Sequence, residues 1–342
     1  MPQFAKAQDI AVAVVGYGGA FNMGKSHLEQ MRDAGMTPKA VVELDPARLE
    51  VAKKDFPGIE TYATVEEMLK TSPVNLVTII TPHNTHAPLA LACLNAGKHV
   101  VCEKPFAITT EECDQMIAAA KKSGLTLSTF HNRHWDGCVL KAVELVNAGV
   151  IGEVVRIDCH MGGHGKPGDW WRTSKSISGG ILYDWGVHLL EYSLQLIRSE
   201  ITEVCGFAKK GFWKKQSKWG EDTNEDEGFA VVRFANGAWI TLIISSIDAT
   251  PRRGLLDIVG TKGSLLLDWG GYELTIPGTD TVVTKGKYPD GRGDLYYKNV
   301  AEHMVSGVPL IITPEWARRP IHVLDLASQS AATGRSLPTK YT

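Results

Sequence analysis

Apolar positions in the first 130 residues fall into short runs separated by longer stretches in which they recur at helical spacing. Residues 10–15, 40–42, 76–80, 99–102 and 125–130 are apolar and β-rich, and read as strands. The first lacks polar alternation, as expected of a strand covered on both faces by helices. The stretches between have helical length and period. One covers residues 88–96 and ends at Gly97 as a left-handed cap, with Lys98 opening the next strand. Strands alternating with helices predict an α/β domain built on a doubly wound parallel sheet.

After a helical stretch over residues 136–148 the rhythm changes. Residues 229–234 and 239–244 read as strands flanking Asn236-Gly237, a hairpin signal. Further β-runs cover 255–259 and 264–267, and a last helix over 315–332 stops at Gly334. Strands gathered apart from helices predict an α+β domain with a large, mostly antiparallel open sheet. The acidic run 221–227 reads as a solvated loop before a strand.

Composition narrows the class. At 342 residues, 44% hydrophobic and 22% charged, the chain has room for two folded globular domains. Its 36 basic and 38 acidic side chains leave a formal charge of -2, so no global field draws it to nucleic acid or an anionic membrane. No apolar run approaches the ~20 residues that span a bilayer, and the first nine residues carry no apolar leader. The six cysteines show no Cys-x-x-Cys pair and read as reduced thiols. A cytoplasmic location is expected.

The first predicted strand runs into Gly16, Gly18, Gly19 and Gly24, with a helix opening near Met23. Such glycines let backbone N–H groups approach a pyrophosphate, whose charge a helix N-terminus favours. The Gly-x-Gly-x5-Gly spacing is three residues longer than the usual fingerprint, so alone it is also read as a flexible turn. Glu43 ends the second strand, where an acid accepts from a ribose 2′-hydroxyl and repels a 2′-phosphate, favouring NAD over NADP. Asp45 is the rival, but before Pro46 it reads as a helix cap.

Residues 99–102 lead into Glu103-Lys104-Pro105 at the carboxyl edge of the predicted sheet. Pro105 keeps Lys104 out of helical geometry and so aims it. On these residues alone the simpler reading is a surface lysine paired with Glu103. Asp184 and His188 are four apart. A helix starting at or just before Asp184 puts both on one face, a carboxylate and an imidazole suited to moving a proton. The alternative is Asp184 as N-cap with His188 as a satisfied core histidine, and the spacing does not choose.

Residues 160–172, HMGGHGKPGDWWR, join polar donors to aromatic faces, a combination suited to a sugar. His164, Trp171 and Arg172 are candidate substrate contacts, as are His131 and Arg133 after the last strand of the first domain. The plain alternative is a Gly-rich loop with two core tryptophans. Cys159, His160 and His164 make a poor metal set, because adjacent strand residues face opposite sides, and no metal is expected.

Together these segments resemble the glucose–fructose oxidoreductase and inositol dehydrogenase family, GFO/IDH/MocA. The resemblance runs through Thr81-Pro82-His83-Asn84-Thr85-His86, Ala96-Gly97-Lys98-His99-Val100, Glu103-Lys104-Pro105, His131-Asn132-Arg133, Gly149 to Val154, Trp171-Arg172 and the Gly179 to His188 segment. It continues through residues 234–238 and 260–264. It implies an NAD(P)-binding Rossmann domain over residues 1–131 and a domain over 132–342 that binds substrate and forms homo-oligomer contacts through its sheet. It also implies an NAD(P)-dependent dehydrogenase or reductase acting on CH–OH groups of sugars, polyols or their derivatives. Lys104 and His188 match the catalytic lysine and histidine, and Asp184 matches the histidine's carboxylate partner. Cofactor contacts are expected from Gly16, Gly18, Gly19, Gly24, Glu43, Thr81, Pro82, His83, His86, Glu103 and Lys104. Two departures stand out: the insertion Gly19-Ala20-Phe21 in the glycine loop, and His83 where asparagine is commoner.

The expected chemistry is hydride transfer between a carbinol and the nicotinamide, with His188 accepting the hydroxyl proton and Lys104 donating a hydrogen bond to the same oxygen. One alternative is an NAD-dependent glycoside hydrolase working by transient oxidation, elimination and re-reduction, distinguished by the lack of net NADH. Another is a catalytically silent cofactor sensor, which an intact Lys104, Asp184 and His188 argue against.

Overall fold

The computed structural model describes residues 3–341, arranged in two compact units. The first runs to Asn132 and also takes in Asp294–Arg318; the second holds Arg133–Gly293 and the chain from Arg319 onward. The sequence pattern places a single boundary after residue 131 and gives no sign that a late segment belongs with the first unit.

The first unit alternates β1 (Ala11–Val15), α1 (Met23–Asp33), β2 (Thr37–Val42), α2 (Pro46–Asp55), β3 (Glu60–Tyr62), α3 (Val65–Thr71), β4 (Leu76–Ile79), α4 (His86–Asn95), β5 (His99–Cys102), α5 (Thr110–Ser123) and β6 (Leu127–Thr129). The strands form one parallel sheet in the order β3-β2-β1-β4-β5-β6. Every residue of β4 and β5 is buried, which is why both read as mostly apolar runs without polar alternation. Local signals bound the helices, and two of them, Asp45 and Gly97, are the caps the sequence predicts. Asp45 caps α2 by accepting the Ala47 N–H at 2.9 Å, with Pro46 in its first turn. Thr109 and Glu112 make a capping box on α5, and Gly97 (φ 76°) and Gly124 (φ 65°) follow the ends of α4 and α5.

The late helix Leu295–Ser306 completes this unit through two buried tyrosines. Tyr296 Oη donates to Ser128 Oγ at 2.8 Å, and its ring meets Phe130 edge-on at 4.9 Å. Tyr297 Oη lies 2.6 Å from His27 Nδ1.

The second unit contains α6 (Gly137–Asn147), β7 (Val154–Gly162), α7 (Lys175–Ser178), α8 (Leu182–Leu196), β8 (Ile201–Lys209), β9 (Glu227–Phe234), β10 (Trp239–Ser245), β11 (Leu256–Gly260), β12 (Ser264–Leu267), β13 (Tyr272–Ile276), β14 (Val282–Gly286) and β15 (Leu337–Pro338). The sheet order is β14-β13-β12-β11-β7-β10-β9-β8-β15, parallel only between β7 and β10. The Asn236-Gly237 hairpin forms as predicted, with Gly237 at φ 86°. The helix α8 lies on the face carrying Leu242, where Gly186 gives the close approach: a Cβ there would stand 3.1 Å from Leu242 Cδ2.

The acidic run 221–227 is not the solvated loop expected of it. Asn224, Glu225 and Asp226 are buried. Asp226 accepts the N–H groups of Phe212 (2.8 Å) and Trp213 (3.1 Å), while Glu225 pairs with Lys175 at 2.8 Å and accepts the Ile181 N–H at 3.1 Å. Backbone donors and a lysine elsewhere in the chain replace the water that a local reading assumes.

Candidate active site

The glycine turn follows β1 directly. Gly16 sits at φ 103°, where a Cβ would stand 2.7 Å from the Ile80 carbonyl oxygen. Gly24, in the first turn of α1, is equally constrained: its Cβ would lie 2.7 Å from both Gly16 O and Tyr17 Cδ2. These two glycines are required by the chain's own packing. A Cβ on Gly18 would meet nothing within 4 Å, so its smallness leaves open space above the turn, and one on Gly19 would face Arg48 Nη1 at 3.2 Å. The inserted residues are thus accommodated between Gly18 and the helix, whose N-cap Asn22 adopts φ 49°.

Glu43, just beyond β2, is built into this turn. Its Oε2 accepts the Tyr17 N–H at 2.6 Å and its Oε1 the Asp45 N–H at 3.1 Å. Arg48 donates through Nε to the Tyr17 carbonyl at 2.8 Å, and Tyr17 Oη donates to Asp55 at 2.9 Å. Burial and the Asp55 carboxylate push the Tyr17 hydroxyl well above its ordinary range. A fixed carboxylate and a fixed guanidinium therefore flank one glycine turn.

At the carboxyl ends of β4 and β5, His86 joins two loops. Its Nε2 lies 2.9 Å from the Thr81 carbonyl oxygen and its Nδ1 2.8 Å from that of Pro105. His83 is buried with its ring 5.6 Å from that of His86. Thr85 Oγ1 lies 2.6 Å from Pro82 O and 2.7 Å from Thr81 Oγ1.

Glu103 follows β5 and accepts the Lys104 N–H through Oε2 at 2.9 Å, while its Oε1 stands 3.0 Å from His27 Nε2. Burial pushes this carboxyl upward. The His27 hydrogen bond and the positive charges beside it outweigh burial, so Glu103 titrates below its usual range. Neither His27 nor Tyr297 is legible as a site residue in sequence, because the contact joins α1 to a helix that arrives some 270 residues later. His131 is buried at the end of the β6 segment.

In the second unit α8 begins at Leu182 with Ile181 at its N-cap, so Asp184 lies inside the first turn and is not the cap. Its charge is favoured there by the helix dipole. Asp184 and His188 fall one turn apart on one face, as the spacing predicts, and His188 is buried. Its ring centroid is 5.5 Å from that of Trp185 and 6.4 Å from that of Tyr192. Arg172 donates through Nη1 to Asp184 Oδ1 at 2.5 Å. The same guanidinium lies against Trp171 (4.9 Å) and Trp170 (5.3 Å), so the two tryptophans pack on Arg172 and are not core residues.

Arg133 pairs with Asp136 at 2.9 Å and lies 5.1 Å from the Trp185 ring. His164 stands edge-on to Phe212 and Trp213 at 5.9 and 5.7 Å. Among the described residues no cluster of three or more His, Cys, Asp or Glu is placed to hold a metal ion, and no helix is long and apolar enough to cross a membrane.

The parallel sheet, with its order reversing between β1 and β4 and a glycine turn opening a helix, defines a dinucleotide-binding protein. Two family models identify which. One, the oxidoreductase family with NAD-binding Rossmann fold, matches residues 10–131; the other, the GFO/IDH/MocA C-terminal domain, matches 139–266. The chain belongs to the GFO/IDH/MocA family and is an NAD(P)-dependent oxidoreductase. It is similar to the scyllo-inositol 2-dehydrogenase (NADP(+)) IolW of Bacillus subtilis, at 26% identity over 97% of this chain and 96% of that one. It is also similar to the myo-inositol 2-dehydrogenase of Thermotoga maritima, at 28% identity over 84% and 81%. The solved structure of an NAD-binding protein from Listeria innocua matches with TM-score 0.81 and 26% identity over 96% and 97% of the two chains.

Proposed function

We propose that this enzyme transfers hydride between a nicotinamide cofactor and a carbinol or carbonyl carbon of a sugar, polyol or sugar derivative. The observation that carries the reading is the buried His188 on the same face of α8 as Asp184, whose carboxylate Arg172 fixes at 2.5 Å. An imidazole in that setting takes a hydroxyl proton, with the carboxylate favouring the imidazolium that results. Lys104 donates a hydrogen bond to the substrate oxygen as alkoxide character develops.

The open space above Gly18 and the two packed glycines beside it suit a pyrophosphate on the N-terminus of α1. Gly16, Gly18, Gly19, Gly24, Glu43, Thr81, Pro82, His83, His86, Glu103 and Lys104 are the residues assigned to the dinucleotide, which when bound supplies the hydride acceptor or donor. Glu43 favours NAD, because its carboxylate accepts from a 2′-hydroxyl and repels a 2′-phosphate. The first unit's residues would hold the cofactor, while substrate contacts are assigned to His131, Arg133, His164, Trp171 and Arg172.

Homo-oligomer contacts are assigned to the sheet face opposite α8. Phe229, Val231, Trp239 and Ile243 alternate there with buried neighbours and stay only half-buried, which supports a covering partner copy. We assign the enzyme to the cytoplasm, where its six cysteines stay reduced thiols.

The test is a spectrophotometric screen of NAD and NADP against polyols, aldoses and glycosides, following reduced nicotinamide. A substrate-dependent, stoichiometric rise in NADH is expected, with His188→Ala and Lys104→Ala binding cofactor yet turning over about 100- to 10,000-fold more slowly. Aglycone release from a glycoside without net NADH, or full turnover in both variants, refutes the reading.

A further inference from the structure

The second unit encloses a cavity of about 320 Å³ between α7, the Gly179-Gly180 turn, β8, β9 and residues 324–332 of the last helix, Pro314–Thr333. None of the residues assigned above to cofactor, substrate or catalysis lines it. The volume is at the small end of the range for ligand sites, about 300–1,000 Å³, so an occupant would be a small molecule.

Part of the lining is charged. Glu225 is only 8% exposed, and its Oε1 lies 2.8 Å from Lys175 Nζ and 3.6 Å from Lys210 Nζ. Lys175 also donates to the Gly179 carbonyl at 2.7 Å and reaches Ser328 Oγ at 3.4 Å, so all three of its donors are engaged. Its pair with Glu225 is seated on Gly180, at φ 126°, where a Cβ would stand 2.6 Å from both Glu225 Oε2 and Lys175 Nζ. Lys210 is held differently. Its contact is too long for a hydrogen bond, and its side chain is 58% exposed, so its ammonium can turn to a ligand while the buried pair stays intact. Two lysines against one glutamate leave this lining with a single net positive charge.

The rest is mostly apolar and short. Leu182, Leu324, Ala208, Ala327, Ala331 and Ala332 contribute, and the alanines leave the space that longer side chains would fill. A void lined by methyl groups forgoes dispersion contacts until something occupies it. Apolar walls with a few placed polar groups are the usual make-up of a small-molecule site.

We propose that this cavity is a binding site for a small organic monocarboxylate, separate from the redox site, with the carboxylate on Lys210 and the apolar body against the alanines of the last helix. One negative charge matches the net charge of the lining. A dianion such as phosphate would set an unmatched charge beside the Glu225 carboxylate, and a neutral molecule of the same shape would forgo the ion pair with Lys210.

Saturation-transfer NMR on the full chain with NAD present, using benzoate as the probe, tests the site without depending on turnover. Benzoate should take up saturation from the native protein, whereas benzyl alcohol should bind about tenfold more weakly and inorganic phosphate should fail to displace it. Lys210→Met should weaken benzoate binding about tenfold, the scale of one charge-assisted hydrogen bond. Ala331→Leu, which fills the cavity and keeps both lysines, should abolish it. Both variants should keep the native affinity for NADH, which reports that they are folded. A native chain that transfers no saturation to benzoate overturns the proposal, and so does undiminished binding in Ala331→Leu, which would put the anion elsewhere. Displacement of benzoate by equimolar phosphate overturns it by reducing the site to a lysine patch. Loss of binding in Ala331→Leu together with a changed oligomeric state does so as well, by giving the cavity to a second copy.

Discussion

His27 Nε2 stands 3.0 Å from Glu103 Oε1, and the other oxygen of the same carboxylate receives the Lys104 N–H at 2.9 Å. A histidine in α1 thereby steadies the backbone of the proposed catalytic lysine. His27 is itself held by Tyr297 Oη, which lies 3.2 Å from Thr78 Oγ1, so the direction of Lys104 depends on a chain of four side chains, three of them buried.

Replacing His27 by Asn should lower kcat by about a hundredfold, the scale expected when a reacting group is displaced by roughly 1 Å. The KM for NAD should move much less. Steady-state kinetics beside a thermal melt checks this: a variant that loses stability but keeps kcat would reduce His27 to a packing role.

Arg172 sets the carboxylate that precedes His188. Arg172→Met should lower kcat about tenfold to a hundredfold, and Arg172→Lys should recover only part, because an ammonium lacks the planar fork that bonds Asp184 while packing against the indoles. The pH profile of kcat supplies the second readout, since an Asp184 without its cation changes the charge beside His188.

Glu43→Ser should weaken NAD binding by about tenfold, equivalent to ~1.4 kcal/mol, and raise the relative affinity for NADP. Fluorescence titration with NADH and NADPH measures both. Because Glu43 also accepts two backbone N–H groups, a modest fall in melting temperature should accompany the switch.

Glu225 gives a pH dependence of stability. Burial pushes its carboxyl up, but the Lys175 charge and hydrogen bond and the Ile181 N–H overcome that and hold it below its ordinary value of 4.5. A carboxyl depressed by folding stabilises fully above its unfolded value and loses that contribution as pH falls through the folded one. Denaturant melts between pH 7 and pH 3 should show an acid-side slope that is shallower in Glu225→Gln, with a loss at neutral pH of about 1–3 kcal/mol. An unchanged slope would remove Glu225 from the acid response.

Periodicity sufficed for elements whose burial is uniform or strictly alternating. The strands β1, β4 and β5, the hairpin at Asn236-Gly237 and the helix carrying Asp184 and His188 all follow from local pattern. Elements that alternate weakly do not: β8, with Gly206 pressed on the Ala327 backbone and Phe207 turned outward, offers no clean apolar run, and the three-residue β3 is too short to register. The site divides along the same line. Lys104, Asp184 and His188 lie in local motifs, whereas His27, Tyr297, Arg48 and Glu225 act through contacts between distant segments, and a single sequence carries no local trace of those.

The return of Leu295–Ser306 to the first unit has a consequence for synthesis. A ribosome releases the whole Rossmann sheet long before Tyr296 and Tyr297 exist, so Ser128, Phe130 and His27 wait without the partners that cover them in the finished molecule. A fragment cut after Asn132 would carry that same gap permanently, exposing an aromatic seam to chaperones and proteases. Vectorial folding of this chain therefore cannot finish its first half before nearly all of its second has been translated.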